Sequence, residues 1–343
     1  MQNKKIIPQD LKTLLQKIRE SGYRVIAPGK LDGPVLFGEI SSYEEYDESC
    51  LKPKRSIKEF FFPRHENICK YRLKESGGAE IDEIRNYAEK TLVFGCRPCD
   101  AASLSIMDKV FEWDYKDNFY LERRKNTTVI SFACERADDF CMCTTLGYSP
   151  LSEEGSDILL IKDKNGSFYA KIITSKGEEI VNKASELFSA ASQNVPESFK
   201  GPSVKTDKTV VKPWLDSAFD DSLWDEIGMR CLGCGTCTYV CPTCHCFDIV
   251  DEGGLKRGSR VKNWDSCQFG LFTMHASGHN PRPTQDRRFR QRIMHKFKIY
   301  VDKFNIISCV GCGRCSKSCP VDINIGSVLN MIEKRSAAAG KKE

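Results

Sequence analysis

Cys231-Leu-Gly-Cys234-Gly-Thr-Cys237-Thr-Tyr-Val-Cys241-Pro242 returns near the end of the chain as Cys309-Val-Gly-Cys312-Gly-Arg-Cys315-Ser-Lys-Ser-Cys319-Pro320. Both stretches have the C-x2-C-x2-C-x3-C-P spacing of bacterial-type [4Fe–4S] ligation. Three thiolates two residues apart can wrap one face of a cubane cluster. Gly233, Gly235, Gly311 and Gly313 let the backbone turn tightly and bring N–H groups towards the cluster sulfurs. Structural zinc uses one or two pairs of ligands, and neither zinc nor disulfides call for two identical four-cysteine runs each ending in proline. In chains with two such runs the fourth cysteine serves the other cluster. The expected sets are therefore Cys231, Cys234, Cys237 and Cys319 for one cluster, and Cys309, Cys312, Cys315 and Cys241 for the other.

The chain has 343 residues, 40% of them apolar, which is enough for two or three domains with real cores. Its 18 cysteines would suggest disulfides in a secreted protein, but Met1–Pro8 lacks the apolar core of a signal peptide. No run is long enough to span a bilayer. The expected setting is cytoplasmic, reducing and anaerobic. The formal charge of +5 counts the ligand thiols as neutral. Each cluster with four thiolates carries about −2, so two clusters bring the total to roughly +1 and three to roughly −1. Part of the basic excess therefore offsets buried anions, and nucleic-acid binding does not follow from it.

Upstream, the sequence alternates strands and helices. Asp10 is placed as the cap of a helix carrying Leu11, Leu14, Leu15 and Ile18, which ends at Gly22. Strands are expected at 24–27, 35–40, 91–95 and 127–133. Phe60-Phe61-Phe62-Pro63 is an apolar corner. Asp100 is placed as the cap of a helix with Leu104, Met107, Val110 and Phe111 on one face. Residues 157–162 and 167–173, joined by Asn165-Gly166, read as a hairpin, and 178–191 as a helix. The fold class expected is an α/β or α+β N-terminal domain (1–200), then a linker and leading helix (201–230), with the linker itself at 192–212 and an amphipathic helix at 214–229. A helical ferredoxin-like domain with the two cluster motifs (231–332) follows, including a short last helix with Ile325, Val328, Leu329 and Ile332. Residues 333–343 read as a frayed tail.

Two of the strands run into cysteines. Cys99, Cys134, Cys141 and Cys143 bring four thiols to neighbouring strand ends, where an α/β sheet places ligands. They are either a third cluster site or buried thiols acting as small hydrophobes, and Cys96 can stand in for Cys99. Cys244, Cys246 and Cys267 either tighten the packing around the first cluster or, with His245, make a further metal site. His275, His279 and His295 read as hydrogen-bonded residues of turns. The basic segment 287–298 is a solvated face, a charge offset for clusters or a docking site for an acidic partner.

Phe94-Gly95-Cys96-Arg97-Pro98-Cys99-Asp100, Cys134 with Cys141-Met142-Cys143, and Cys241-Pro242-Thr243-Cys244-His245-Cys246-Phe247-Asp248 carry a resemblance. Trp264–Cys267, Gly278–Pro283, Arg290-Gln291-Arg292 with His295-Lys296, and the final cysteine run continue it. Over residues 90–325 the chain resembles the beta subunit of cytoplasmic nickel–iron hydrogenases (sulfhydrogenases) and the electron-transfer subunit of anaerobic sulfite reductase. Cys96 and Met142 depart from the family pattern. The resemblance implies a third [4Fe–4S] cluster on Cys99, Cys134, Cys141 and Cys143. It also implies electron transfer between a flavoprotein subunit that handles NAD(P)H and a catalytic metal subunit. A sulfite-reductase relay and an oxygen- or iron-sensing regulator are the other two readings. No glycine-rich phosphate turn and no nucleophile–base pair is present, so no active site is expected within the chain itself. Segments 287–298 and 214–229 are the expected docking surfaces.

Overall fold

The computed structural model of the protein describes residues 3–30, 33–84, 89–191, 195 and 199–339. Its strands in chain order are β1 (Lys4–Ile6), β2 (Arg24–Lys30), β3 (Val35–Glu39), β4 (His65–Leu73), β5 (Ala79–Glu83), β6 (Thr91–Cys96), β7 (Thr127–Phe132), β8 (Ile158–Lys162), β9 (Phe168–Ile172), β10 (Ser189–Ala190), β11 (Phe247–Gly253) and β12 (Arg257–Trp264). Eight form one mixed sheet in the order β10-β1-β9-β8-β7-β6-β2-β3. At its centre β2, β6, β7 and β8 run parallel, with β3 and β9 antiparallel beside them.

Every residue of β6 and β7 is buried, as expected of parallel strands covered on both faces. Alternation assigns the two faces. Leu92, Phe94 and Ile130 pack with Leu11, Leu14 and Ile18 of helix Pro8–Glu20 and Ile180 of helix Ser175–Lys183. Val93 and Val129 pack with Leu104, Met107 and Phe111 of helix Pro98–Phe111 and with Tyr120. Phe61 and Phe62 lie in this second core.

Neither aspartate placed as a cap holds that role. Ile7 occupies the cap position with Pro8 in the first turn, and Asp10 lies within that turn. Arg97 precedes the second helix, whose first turn holds Pro98, because proline suits a position that has no N–H partner to lose. Asp100 turns inward instead. The expected helix at 178–191 begins earlier, at Ser175, where the Thr174 hydroxyl accepts from Gly177 N–H. It stops at Lys183, and Ser189–Ala190 becomes an edge strand on β1.

A second sheet, β11-β12-β4-β5, is antiparallel throughout. The sequence reading assigns no element to these segments, and β4 shows no clean apolar alternation. β5 pairs locally with β4, and β4 pairs with a strand far along the chain: His65 opposes Asn263 and Arg72 opposes Arg257. The junction is fastened by charge. Glu66, 1% exposed at its side chain, receives Lys262 at 2.8 Å and also pairs with Arg123, while Lys262 reaches Asp117 at 3.0 Å. Trp264 stacks on Phe62 and donates its indole N–H to the Phe62 carbonyl at 3.0 Å.

The expected helix at 214–229 is two helices, Val211–Ser217 and Leu223–Gly228. The break sits at Asp221, whose carboxylate accepts from Leu223 N–H at 2.8 Å and restarts the turn. Both segments face inward, with Trp214 against Trp224 in a core shared with Phe289, Ile293, Leu329 and Ile332. Trp214 and Trp224 are thus not available for docking, while Phe219 and Met229 of the same segment are exposed. Helix Ile325–Ala339 continues through most of the expected tail, and Arg335 pairs with Asp221 and Glu226. Residues 340–343 of that tail, and 192–194 and 196–198 of the expected linker, lie outside the described residues. No helix among the described residues is long and apolar enough to cross a membrane.

Replacing Glu66 with alanine would leave Lys262 and Arg123 facing each other without their shared anion, a loss of about 3–5 kcal/mol for a broken buried pair. The expected outcome is a lower thermal inactivation temperature and faster proteolysis within 247–264. Unchanged cleavage there would show that this ion pair does not fasten the hairpin.

Candidate iron–sulfur sites

The two cysteine runs fold alike. Gly233, Gly235, Gly311 and Gly313 all have φ between 65° and 74°, a left-handed conformation that side chains resist. Each run then enters a single helical turn, Thr236–Tyr239 or Arg314–Lys317. Space adds a second demand at Gly313, where a Cβ would lie 2.3 Å from the Phe140 carbonyl oxygen.

The fourth cysteines change places. Cys231, Cys234, Cys237 and Cys319 line one cavity, and Cys241, Cys309, Cys312 and Cys315 line the next. Cys315 and Arg292 border both. Cys319 enters the first cavity because its run ends in a turn folded against the helical core. Thiol sulfurs there already receive N–H groups: Gln285 Nε2 donates to Cys231 Sγ at 3.2 Å, and Ile323 N–H to Cys319 Sγ at 3.3 Å. Among the described residues no three Cys, His, Asp or Glu side chains converge to hold a single metal ion; the thiols ring cavities instead.

Cys99 opens the helix after β6, Cys134 lies two residues beyond β7, and Cys141 and Cys143 occupy the loop that follows. The thiols of Cys99, Cys134, Cys141 and Cys143 feel one another electrostatically. Burial pushes the Cys134 thiol up to about 11. Lys52 lies among them, its ammonium 3.0 Å from Cys141 Sγ, 3.0 Å from Asp138 and 2.6 Å from the Cys312 carbonyl. Cys96 is separate, fully buried in the apolar core beneath the sheet.

This third group abuts the second cavity. Met142 N–H donates to the Gly311 carbonyl at 2.8 Å. Asp100, next to Cys99, takes a two-point contact from Arg314, between Cys312 and Cys315, at 2.8 and 2.9 Å. Both side chains are at most 2% exposed.

The basic segment divides. Residues 285–294 are α-helical, and His295–Ile299 forms a π turn, a feature frequent at functional sites. Arg292 and Lys296 point inward and are buried, so these two do not form a docking face. Arg292 reaches Cys244 Sγ at 3.4 Å, and its Nε has no hydrogen-bond partner among the described residues. The Lys296 ammonium donates to the Thr243 hydroxyl at 2.9 Å and to the Ser308 carbonyl at 2.8 Å. Burial works against both charges, yet surrounding thiols outweigh it and hold both groups more firmly protonated than usual. Arg287 is exposed, and Arg290 is half-buried, stacked on Phe219.

Buried cations need anions, and thiolates carrying iron–sulfur clusters would provide them. The donor set, the orphaned Arg292 Nε and the crowded glycine turns all fit that group. Lys52 and Lys58 were not legible from sequence, because they occupy a segment without cysteine motifs. Arg292 and Lys296 left a signal: their i, i+4 spacing falls among the buried Phe289, Ile293 and Phe297. His245, offered as a metal ligand, has its Nδ1 3.1 Å from the Thr243 carbonyl. Burial drives it down to about 3 and His295 to about 4, so both are neutral. His275 and His279 close an exposed turn through a 2.8 Å backbone hydrogen bond.

Residues 230–323 match the family of 4Fe-4S dicluster domains. Across 331 residues the chain is 31% identical to sulfhydrogenase 2 subunit beta of Pyrococcus furiosus, covering 93% of this chain and 94% of that one. The chain belongs to the sulfhydrogenase beta-subunit family. As a member it is an iron–sulfur, electron-transfer protein of the 4Fe–4S type. The dicluster match spans both cysteine runs and the buried Arg292 and Lys296 between them.

An Arg292→Met variant of this beta-subunit homologue removes one buried positive charge from the wall of both cavities. Cluster reduction adds an electron, so the midpoint potentials should fall by on the order of 100 mV, with iron content retained. A redox titration followed by electron paramagnetic resonance reads this, and unchanged potentials would deny Arg292 its compensating role.

Proposed function

We propose that this chain is the electron relay of a cytoplasmic NiFe-hydrogenase-type complex, standing between a flavoprotein subunit that handles NAD(P)H and a catalytic metal subunit. The observation that carries it is continuity. The first cavity shares Cys315 and Arg292 with the second, and the second meets the third cysteine group through Arg314–Asp100 and Lys52. In this reading Cys231, Cys234, Cys237 and Cys319 hold one [4Fe–4S] cluster, Cys309, Cys312, Cys315 and Cys241 a second, and Cys99, Cys134, Cys141 and Cys143 a third. Each cluster, when bound, accepts and returns one electron. The protein's own contribution is spacing, exclusion of water and charge. Arg314 clamps the ligand loops of the second and third groups at a fixed separation. Lys52, Arg292 and Lys296 offset the negative charge of the thiolates.

The name carried by the Pyrococcus relative, a sulfhydrogenase beta subunit, favours a hydrogenase-type catalytic partner over a sulfite-reducing one. A regulator that reads DNA would need a basic recognition surface, and the basic segment instead turns Arg292 and Lys296 inward. The 231–332 region is read as a ferredoxin-like dicluster domain and residues 1–200 as the α/β domain carrying the third cluster.

Four irons per cluster make iron counting decisive. The full-length chain should hold about 12 irons by that stoichiometry, and Cys134→Ser should lower this to about 8 while leaving the other two clusters' spectra intact. Cys319→Ser should perturb the cluster held by Cys231, Cys234 and Cys237. Loss confined to the Cys309 group would defeat the exchanged assignment, and an unchanged iron count in Cys134→Ser would remove the third cluster.

The isolated chain should accept electrons from dithionite and fail to oxidise NADH or NADPH. Adding the flavoprotein subunit should confer nucleotide-dependent bleaching of the cluster absorbance. Rapid reduction by NADPH of a flavin-free preparation would sink the relay assignment.

A further inference from the structure

Three thiols near the first cavity, Cys244, Cys246 and Cys267, belong to none of the three cysteine sets. Cys244 is drawn to Cys241 and to Arg292. The other two face each other. Cys246 immediately precedes β11, and its carbonyl accepts from Asp265 N–H at 3.1 Å, which extends the β11–β12 pairing past Phe247 and Trp264. The chain then turns at Ser266, and this turn brings Cys267 back onto Cys246. The two thiols lie against each other, each acting strongly on the other's charge, and the backbone of Cys267 faces the Cys246 sulfur.

We propose that Cys246 and Cys267 are a redox-active dithiol that cycles between two thiols and one disulfide beside the Cys231–Cys237 run.

The surroundings suit that chemistry. The contact with Cys246, aided by the charge of Arg292 and by the Gln268 amide at 3.6 Å, brings the Cys267 thiol down to about 6 and pushes the Cys246 thiol up. Cys267 is therefore the thiolate, the form that attacks sulfur. Both residues are only partly buried, so protons can reach water. Ser266, between the strand end and Cys267, is hydrogen-bonded to Thr238 at 2.8 Å. This fixes the turn against the residue that follows Cys237, and Cys267 feels the Cys237 thiol electrostatically. Three features argue against a metal site at the same place. Cys244 is engaged elsewhere, His245 has its Nδ1 on a carbonyl, and among the described residues no third ligating side chain converges on the two thiols.

In the oxidising direction the S–H bond of Cys246 breaks, one S–S bond forms with the Cys267 thiolate, and one proton leaves to water. The two electrons pass singly to two oxidised [4Fe–4S] clusters, each reduced by one. The reverse step consumes two reduced clusters and one proton. The site would thus join one-electron carriers to two-electron thiol chemistry. The destination of the electrons rests on the relay reading; the existence of the dithiol does not.

The test uses the full-length, cluster-loaded chain without partners. It is equilibrated anaerobically in buffers of reduced and oxidised dithiothreitol, quenched in acid with N-ethylmaleimide, digested and analysed by mass spectrometry. The expected result is a peptide pair linked through Cys246 and Cys267 at the oxidising end, with two maleimide labels lost and iron content unchanged. Cys246→Ser and Cys267→Ser should each abolish the link and keep all the iron. Both cysteines labelled at every buffer ratio would overturn the proposal, as would loss of about four irons in either variant, which would make them cluster ligands. Formation of the link in a chain that flavoprotein and NADPH cannot reduce would support the dithiol and count against the relay.

Discussion

Arg314 is where the molecule's parts are held in register. Its guanidinium is enclosed between Asp100 and the Pro53 carbonyl, with contacts of 2.8 to 2.9 Å. Taking both charges out of water is costly, and such a pair repays the cost only with good geometry. What it contributes is specificity. The residue after Cys99, at the end of a parallel strand, and a residue inside the last cysteine run are made to meet in one arrangement. Hydrogen bonds from one guanidinium to both Asp100 and the Pro53 carbonyl fix orientation as well as distance, so a lysine in this position would not serve equally.

The same logic extends to the other buried cations. Lys52, Lys58, Arg292 and Lys296 are enclosed by thiols, carbonyls, hydroxyls and an indole face, and among these only Lys52 has a carboxylate within ion-pair range among the described residues. A fold that stranded cations in this way without anions would be penalised at each of them. Thiolates of iron–sulfur clusters remove the penalty, and the cations in turn favour the deprotonated ligands. Cluster binding and folding are coupled through this shared charge.

The second sheet shows how the chain closes over these sites. The hairpin β11–β12 leaves the first cysteine run, pairs with β4 near the start of the chain, and returns at Trp264 to the turn that presents Cys267. Lys58 lies over the Trp264 ring at 3.8 Å and donates to the Cys244 carbonyl at 3.0 Å. An early segment, a late hairpin and a cysteine-bearing loop thus share one set of contacts.

By itself the sequence determined what rests on local spacing. The cysteine runs, their glycine turns, the amphipathic face of Leu11, Leu14, Leu15 and Ile18, the buried strands of β6 and β7 and the β8–β9 hairpin all declare themselves over short stretches of chain. Pairings across long separations were decided by the tertiary structure. β4 carries no clean apolar alternation, and its place in the sheet is set by pairing with β12 almost two hundred residues on. Asp100 and Asp10 both sit where a cap is plausible, but a preceding proline took the first turn in each case, and Asp100 was drawn to a guanidinium 214 residues away. Arg292 and Lys296 count as basic residues in any composition. Only the packing of their helix turns them inward, because charge on a sequence carries a sign and not a direction.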